Sequence, residues 1–116
     1  MITTWGDMQN AKYGDNYHCE HFTVDALRFL TGVDISHLMY TGDGALPLNV
    51  KQFTKVQKPT QYTLVLMRDN HKAHIGIWYN NAVLHLGHEG VVLQTLAIAM
   101  RGFKRVSFYE VDHARI

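Results

Sequence analysis

The chain reads AHIGIWYNNAVLHL from residue 73 to residue 86, and this stretch decides the fold. Apolar residues alternate with other residues over residues 73–79, the Asn-Asn pair at residues 80–81 follows, and a second apolar segment occupies residues 82–86, which is the spacing of a hairpin with a two-residue turn. Counted back from a tight turn, Ile77 pairs with Leu84. The stretch therefore predicts two antiparallel strands.

Two histidines belong to this predicted hairpin. Strand alternation puts His74 on the same face as Gly76, and the register pairs Gly76 with His85. His74 and His85 are therefore expected side by side, so that one imidazole orients the other. Gly76 allows either another backbone or a helix to approach closely, and a helix N-terminus that carries Cys19 is one candidate for that face.

The residues on either side of the hairpin predict a helical zone followed by further strands. A helix is expected from about Tyr17 to the left-handed stop at Gly32, with Asn16 or His18 as its cap. Its apolar face would hold Phe22, Ala26, Phe29 and Leu30.

Shorter elements complete the prediction. Residues 1–16 are polar and irregular. Short helices are expected at residues 34–40 and 49–56, separated by a turn at residues 41–44. Further strands are expected at residues 62–68, 91–95 and 104–111, the last of which closes the sheet, with a helical turn at residues 96–101. A helical zone ahead of an antiparallel meander predicts an α+β domain.

Length and composition exclude several classes of protein. The chain has 116 residues, of which 47% are hydrophobic, so one globular domain over residues 1–116 is expected. Lys plus Arg is 11 and Asp plus Glu is 10, a net charge of +1 that argues against a nucleic-acid binder. No apolar run suits a membrane span, and no secretory signal begins the sequence. Synthesis in the cytoplasm is therefore expected.

Cys19 is the only cysteine, so the chain cannot form an internal disulfide. In the first turn of a helix, its thiolate would be stabilised by unpaired backbone N–H groups, which would also hold an oxyanion. Glu20 opposes this stabilisation because a neighbouring negative charge disfavours the thiolate. A buried, inert thiol is the alternative interpretation.

The eight histidines include three His-x-x-His pairs, at residues 18/21, 71/74 and 85/88. On a helix, this spacing can bring two metal ligands together. A zinc-binding protein is therefore an alternative hypothesis, although no His-Glu-x-x-His motif occurs.

A cysteine that opens a helix, followed by HIGIWY from His74 and then by His85, resembles the NlpC/P60 family of papain-like cysteine peptidases. The resemblance extends from about Tyr13 to Tyr109. It includes KYG at residues 12–14, HCEHF at residues 18–22, QYTLVL at residues 61–66 and VLH at residues 83–85. His18 stands where the family usually has Asp, and Glu-His at residues 20–21 replaces small residues. This variant is most similar to compact phage-tail and prophage members.

The resemblance implies a papain-like fold in which the Cys19 helix packs on a five- to six-stranded antiparallel sheet. It implies that Cys19 is the nucleophile, His74 the base and His85 the group that orients His74. The oxyanion and substrate-binding positions would be Tyr13, Tyr17, His18, His21 and His88. Neither a metal nor a cofactor is expected.

In that family the cleaved amide belongs to a peptidoglycan stem peptide, often beside a D-amino acid. The resemblance therefore implies a peptidoglycan peptide as substrate and a phage tail or secretion system as partner. The protein would be virion-associated or delivered to the cell wall. Two alternatives remain open on the same fold: another thiol acyl transfer (deamidation, transglutamination or acyltransferase activity) and a non-catalytic tail-assembly or binding module.

Overall fold

The computed structural model describes residues 2–39 and 52–112. The helices in these ranges are α1 (Trp5–Gln9), α2 (Cys19–Thr31), α3 (Ser36–Met39) and α4 (Leu96–Ala99). The strands are β1 (Phe53–Val56), β2 (Leu64–Arg68), β3 (Ala73–Tyr79), β4 (Ala82–Gly87), β5 (Gly90–Gln94) and β6 (Arg105–Val111). The expected turn at residues 41–44 lies outside the described residues, as do residue 40 and residues 49–51 of the two expected short helices.

The six strands form one antiparallel sheet in the order β1-β6-β2-β3-β4-β5. The α+β class is confirmed, and the Cys19 helix packs on this sheet. β6 does not close the sheet as expected, because it lies between β1 and β2. On that side of the sheet, the edge strand is β1.

The short helix expected at residues 49–56 is wrong for its described part, because β1 occupies Phe53–Val56. β1 pairs with β6 from Phe53–Val111 to Val56–Phe108. This pairing satisfies the backbone groups of β1 through a partner more than fifty residues away, which local sequence patterns do not indicate. The short helix α1, within residues expected to be irregular, was also missed.

Helix α2 begins and ends close to its predicted limits. His18 is its N-cap, and Gly32 ends it with φ 78°, in the left-handed region that favours glycine. Phe22 and Leu27 are fully or almost fully buried against the sheet. Burial of each such side chain contributes about 1.5–3 kcal/mol, which fixes α2 on the sheet.

The predicted hairpin register is confirmed at the turn, where Ile77 pairs with Leu84. The β3–β4 pairing stops there, so Gly76 and His85 are not a paired rung, although they are adjacent. A Cβ atom built on Gly76 would lie 2.8 Å from the Leu84 carbonyl oxygen and 3.0 Å from the His85 Cβ. Gly76 therefore allows the close approach of β4, not of a helix.

The sheet has two apolar faces, and α2 packs on the one that holds Ile75 and Ile77. The opposite face holds Trp78 and is covered by α4, which contributes Ala99. The candidate placement of α2 on the Gly76 face is therefore wrong. The large apolar side chains of Ile75 and Ile77 offer α2 more surface to bury than glycine does.

Among the helices in residues 2–39 and 52–112, none combines the length and the apolar character that a membrane crossing requires.

Candidate active site

One cavity of about 560 Å³ opens at the N-terminus of α2 and the start of β3. It brings the only cysteine together with residues from β3, β4 and β5, from α4 and from the loop that follows α4. Its walls are formed by Tyr13, His18, Cys19, Glu20, Lys72, Ala73, His74, His85, Leu86, His88, Gln94, Ile98, Ala99, Arg101 and Phe103.

Cys19 is the first residue of α2 and is partly buried. One turn later, the Thr23 hydroxyl donates to the Cys19 carbonyl oxygen at 2.8 Å and also contacts the Ile75 carbonyl oxygen at 3.4 Å. Because Ile75 follows His74 directly in β3, this contact fixes the helix N-terminus beside the histidine.

The Cys19 thiol is neutral in the resting protein. Its Sγ donates to Glu20 Oε2 at 3.4 Å. The pKa of Cys19 is raised to about 11, chiefly by burial and in smaller part by the Glu20 carboxylate, while a backbone hydrogen bond from Ile75 lowers it. The expectation of a thiolate stabilised by the helix N-terminus is therefore wrong, because burial and Glu20 outweigh the helix N–H groups.

The histidines of the hairpin form a hydrogen-bonded chain. His74 Nε2 lies 2.8 Å from His85 Nδ1, and His85 Nε2 lies 2.8 Å from Gln94 Oε1. His85 is only 8% exposed, and the described structure leaves no buried side-chain polar atom without a partner. The predicted proximity of the two imidazoles is therefore confirmed, and Gln94 extends the chain to β5.

Burial also determines the charge of the imidazoles. It lowers the pKa of His74 to about 4, with a smaller contribution in the same direction from His85. Burial lowers the pKa of His85 as well, against the hydrogen bond to Gln94. Both rings are therefore neutral at neutral pH, and His74 is able to accept a proton.

Phe103 and Lys72 form the wall beside His74. The Phe103 ring is stacked on the His74 ring, with 6.0 Å between centroids and an angle of 24° between planes. The Lys72 ammonium lies 4.8 Å from the centroid of the same Phe103 ring. These contacts restrict the orientation of the His74 ring and place a cation at the rim.

Three of the five predicted oxyanion or substrate-binding residues line the cavity. Tyr13 lies between two imidazoles, 5.3 Å from the His18 centroid and 4.2 Å from the His88 centroid. Tyr17 and His21 lie outside the cavity wall. The Tyr17 hydroxyl donates to Asp25 at 2.8 Å, and His21 Nδ1 accepts from the His18 N–H at 2.9 Å.

Among the described residues, one group of side chains has the types and the spacing of metal ligands. It consists of His18, Glu20 and His21, whose ligand atoms lie within 4.8 Å of one another. His21 Nδ1 already accepts the His18 N–H, and the positive end of the α2 dipole disfavours a cation there. The other two predicted pairs do not form such groups. His71 is exposed in the turn before β3, and His88 is exposed while His85 is buried.

Gln94, Lys72, Arg101 and Phe103 were not predicted as site residues from the sequence. Gln94 carried a detectable signal, because it is the only side-chain amide in the strand expected at residues 91–95. The other three lie in turns and loops, whose position relative to the sheet has no periodic signal.

Compared with models of known protein families and with curated protein sequences, the chain matches none.

Proposed function

We propose that the protein is a cysteine peptidase or amidase that cleaves an amide bond through a thioester. The observation that carries the proposal is that the His74–His85–Gln94 chain ends in the cavity that holds Cys19. A thiol nucleophile, a neutral imidazole and a group that orients this imidazole are the elements of nucleophilic acyl transfer.

The reaction begins with a neutral thiol and a neutral imidazole. His74 takes the Cys19 proton as Sγ attacks the carbonyl carbon, and the backbone N–H of Cys19 stabilises the oxyanion. The imidazolium then gives its proton to the leaving nitrogen as the C–N bond breaks. Water, deprotonated by His74, hydrolyses the thioester and restores both groups.

The substrate we propose is a peptidoglycan stem peptide. The charge distribution of the cavity supports a peptide that carries a carboxylate. The residues that line the cavity include two cations, Lys72 and Arg101, and one carboxylate, Glu20. A carboxylate beside the cations would orient the scissile amide along the cavity, toward Cys19.

The resemblance of Cys19, His74 and His85 to the NlpC/P60 pattern supports a papain-like arrangement and the same substrate. On this proposal the protein acts with a phage tail or a secretion system that delivers it to the cell wall. The antiparallel sheet and the Cys19 helix are compatible with this fold.

The test is cleavage of purified muropeptides by the wild-type protein and by Cys19→Ala, followed by mass spectrometry. We expect new peptide termini with the wild type and none with Cys19→Ala. His71→Ala is the matched histidine control, since His71 is exposed in a turn and lies outside the cavity wall. Equal cleavage by Cys19→Ala, with circular dichroism showing an intact fold, would refute the proposal.

Product masses also separate the alternatives. Deamidation adds about one mass unit to an intact peptide, transglutamination joins an amine to it, and acyl transfer moves a fatty acyl group. Binding of the peptide without turnover by a folded wild-type protein would favour the non-catalytic module. A metal that co-purifies with the untagged protein would favour the zinc-binding hypothesis.

A further inference from the structure

We infer that Gln94 is a positioning residue that fixes the tautomers of both imidazoles, so that His74 presents an unprotonated Nδ1 to the cavity. The inference rests on the proposed function for its catalytic consequence. Its structural content, which nitrogen of each ring carries the proton, is independent of any substrate.

At its outer end, the hydrogen-bonded chain of side chains terminates at Gln94. Gln94 Oε1 has no proton to give, so the 2.8 Å contact with His85 Nε2 is a hydrogen bond only if His85 Nε2 carries the proton. In a neutral imidazole the other nitrogen is then an acceptor. His85 Nδ1 therefore accepts a hydrogen bond from its neighbour.

The tautomer of His85 in turn determines that of His74. His74 Nε2 lies 2.8 Å from His85 Nδ1, so His74 Nε2 must carry the proton. The Nδ1 atom of His74 then has the free lone pair that a general base requires. If the Gln94 amide donated the hydrogen bond instead, both imidazoles would take the opposite tautomer and His74 Nδ1 would carry the proton.

The sheet explains why Gln94 reaches His85. His85 pairs with Val92 in the β4–β5 ladder, and Gln94 lies two residues further on, so the two side chains share a face as diagonal neighbours. Gln94 itself pairs with Val83, which is buried in the cluster beneath α4. The amide is thus held by a strand rather than by a loop.

The test reads the tautomers directly from the imidazole ¹⁵N chemical shifts of the wild type, Gln94→Leu and Gln94→Glu, at a mildly alkaline pH that keeps both rings neutral. We expect Nε2–H on both rings in the wild type. Gln94→Leu should give a mixture of tautomers. Gln94→Glu should restore the wild-type pattern, because a carboxylate can only accept.

The kinetic expectation is a kcat about tenfold to a hundredfold lower for Gln94→Leu, the range found when an outer partner of a metal-ligating histidine is removed, with KM little changed. Gln94→Glu should recover most of the loss. Gln61→Leu is the matched control, because the Gln61 amide accepts from the Asn80 N–H at 2.8 Å at the far end of the hairpin.

Two results would overturn the inference: a wild-type His74 protonated on Nδ1, or ¹⁵N shifts that Gln94→Leu leaves unchanged. If Gln94→Leu fails to fold, Gln94→Glu decides alone. Because a carboxylate can only accept, tautomers in Gln94→Glu that are opposite to those of the wild type would mean that the wild-type amide donates. A protein with the expected tautomers but no peptide cleavage would refute the proposed function and leave the role of Gln94 intact.

Discussion

The two sides of the candidate site differ in how they are held. On the imidazole side, His74, His85 and Gln94 come from three neighbouring strands and are joined by two 2.8 Å hydrogen bonds. On the thiol side, Cys19 lies at a helix N-terminus next to Glu20, whose side chain is 26% exposed, and donates to it at 3.4 Å. The imidazole side is preorganised, whereas the thiol is neutral and hydrogen-bonded to a neighbouring carboxylate.

This difference indicates when the chemistry starts. An imidazole with a pKa of about 4 and a thiol with a pKa of about 11 do not form an ion pair at neutral pH. On the proposed function, activation therefore coincides with substrate attack, when the proton would move to His74 as the S–C bond forms.

Removal of the base should have the largest effect. His74→Ala is expected to lower kcat/KM for muropeptide cleavage by about a hundredfold to ten-thousandfold, because it removes general base catalysis. His71→Ala should stay close to the wild type. A His74→Ala variant within threefold of wild-type activity would show that the imidazole side does not take part in the reaction.

The packing behind the imidazole side can be broken at Gly76. A Cβ in Gly76→Ala would lie 2.8 Å from the Leu84 carbonyl oxygen, which is backbone and cannot rotate away. We expect the free energy of unfolding in urea to fall by about 1–3 kcal/mol. Gly14→Ala, where no atom lies within 4 Å, should change it little. Equal stabilities would mean that β4 does not depend on this close approach.

The state of the thiol can be measured by alkylation with iodoacetamide against pH. The pKa of Cys19 of about 11 lies two pH units above the ordinary 9.0, so the thiolate is about a hundredfold rarer at neutral pH. A thiolate with a higher pKa is a stronger nucleophile, and this offsets about tenfold of the loss. The alkylation rate of the folded protein should therefore be about tenfold below that of the chain unfolded in urea. Rapid alkylation that persists at low pH and is lost in His74→Ala would instead show a preformed ion pair.

The smallest expected effect comes from Glu20. The Glu20→Gln substitution removes a negative charge that raises the pKa of Cys19. A fall of the pKa by roughly 0.5–1 unit makes the thiolate about three- to tenfold more abundant at neutral pH, and because each thiolate is then less nucleophilic, alkylation should be about two- to threefold faster. Glu110→Gln, an exposed glutamate on β6, should have no effect. Unchanged alkylation in Glu20→Gln would leave burial as the whole cause of the raised pKa.

Local patterns in the sequence were sufficient to predict the elements whose signals are short-range. The alternation over residues 73–79 and the Asn-Asn turn predicted the hairpin register and the proximity of His74 and His85, and the apolar spacing before Gly32 predicted α2. These signals are readable because each depends on residues that are close together in the chain.

The other features follow from long-range packing, which local patterns do not describe. The edge position of β1, the face on which α2 packs and the reach of Gln94 to His85 depend on pairings between distant residues. The neutral state of Cys19 was decided in the same way, because burial at the junction of α2 and β3 outweighs the local field of the helix N-terminus. Desolvation is set by everything that surrounds a group, and a sequence pattern describes only its neighbours along the chain.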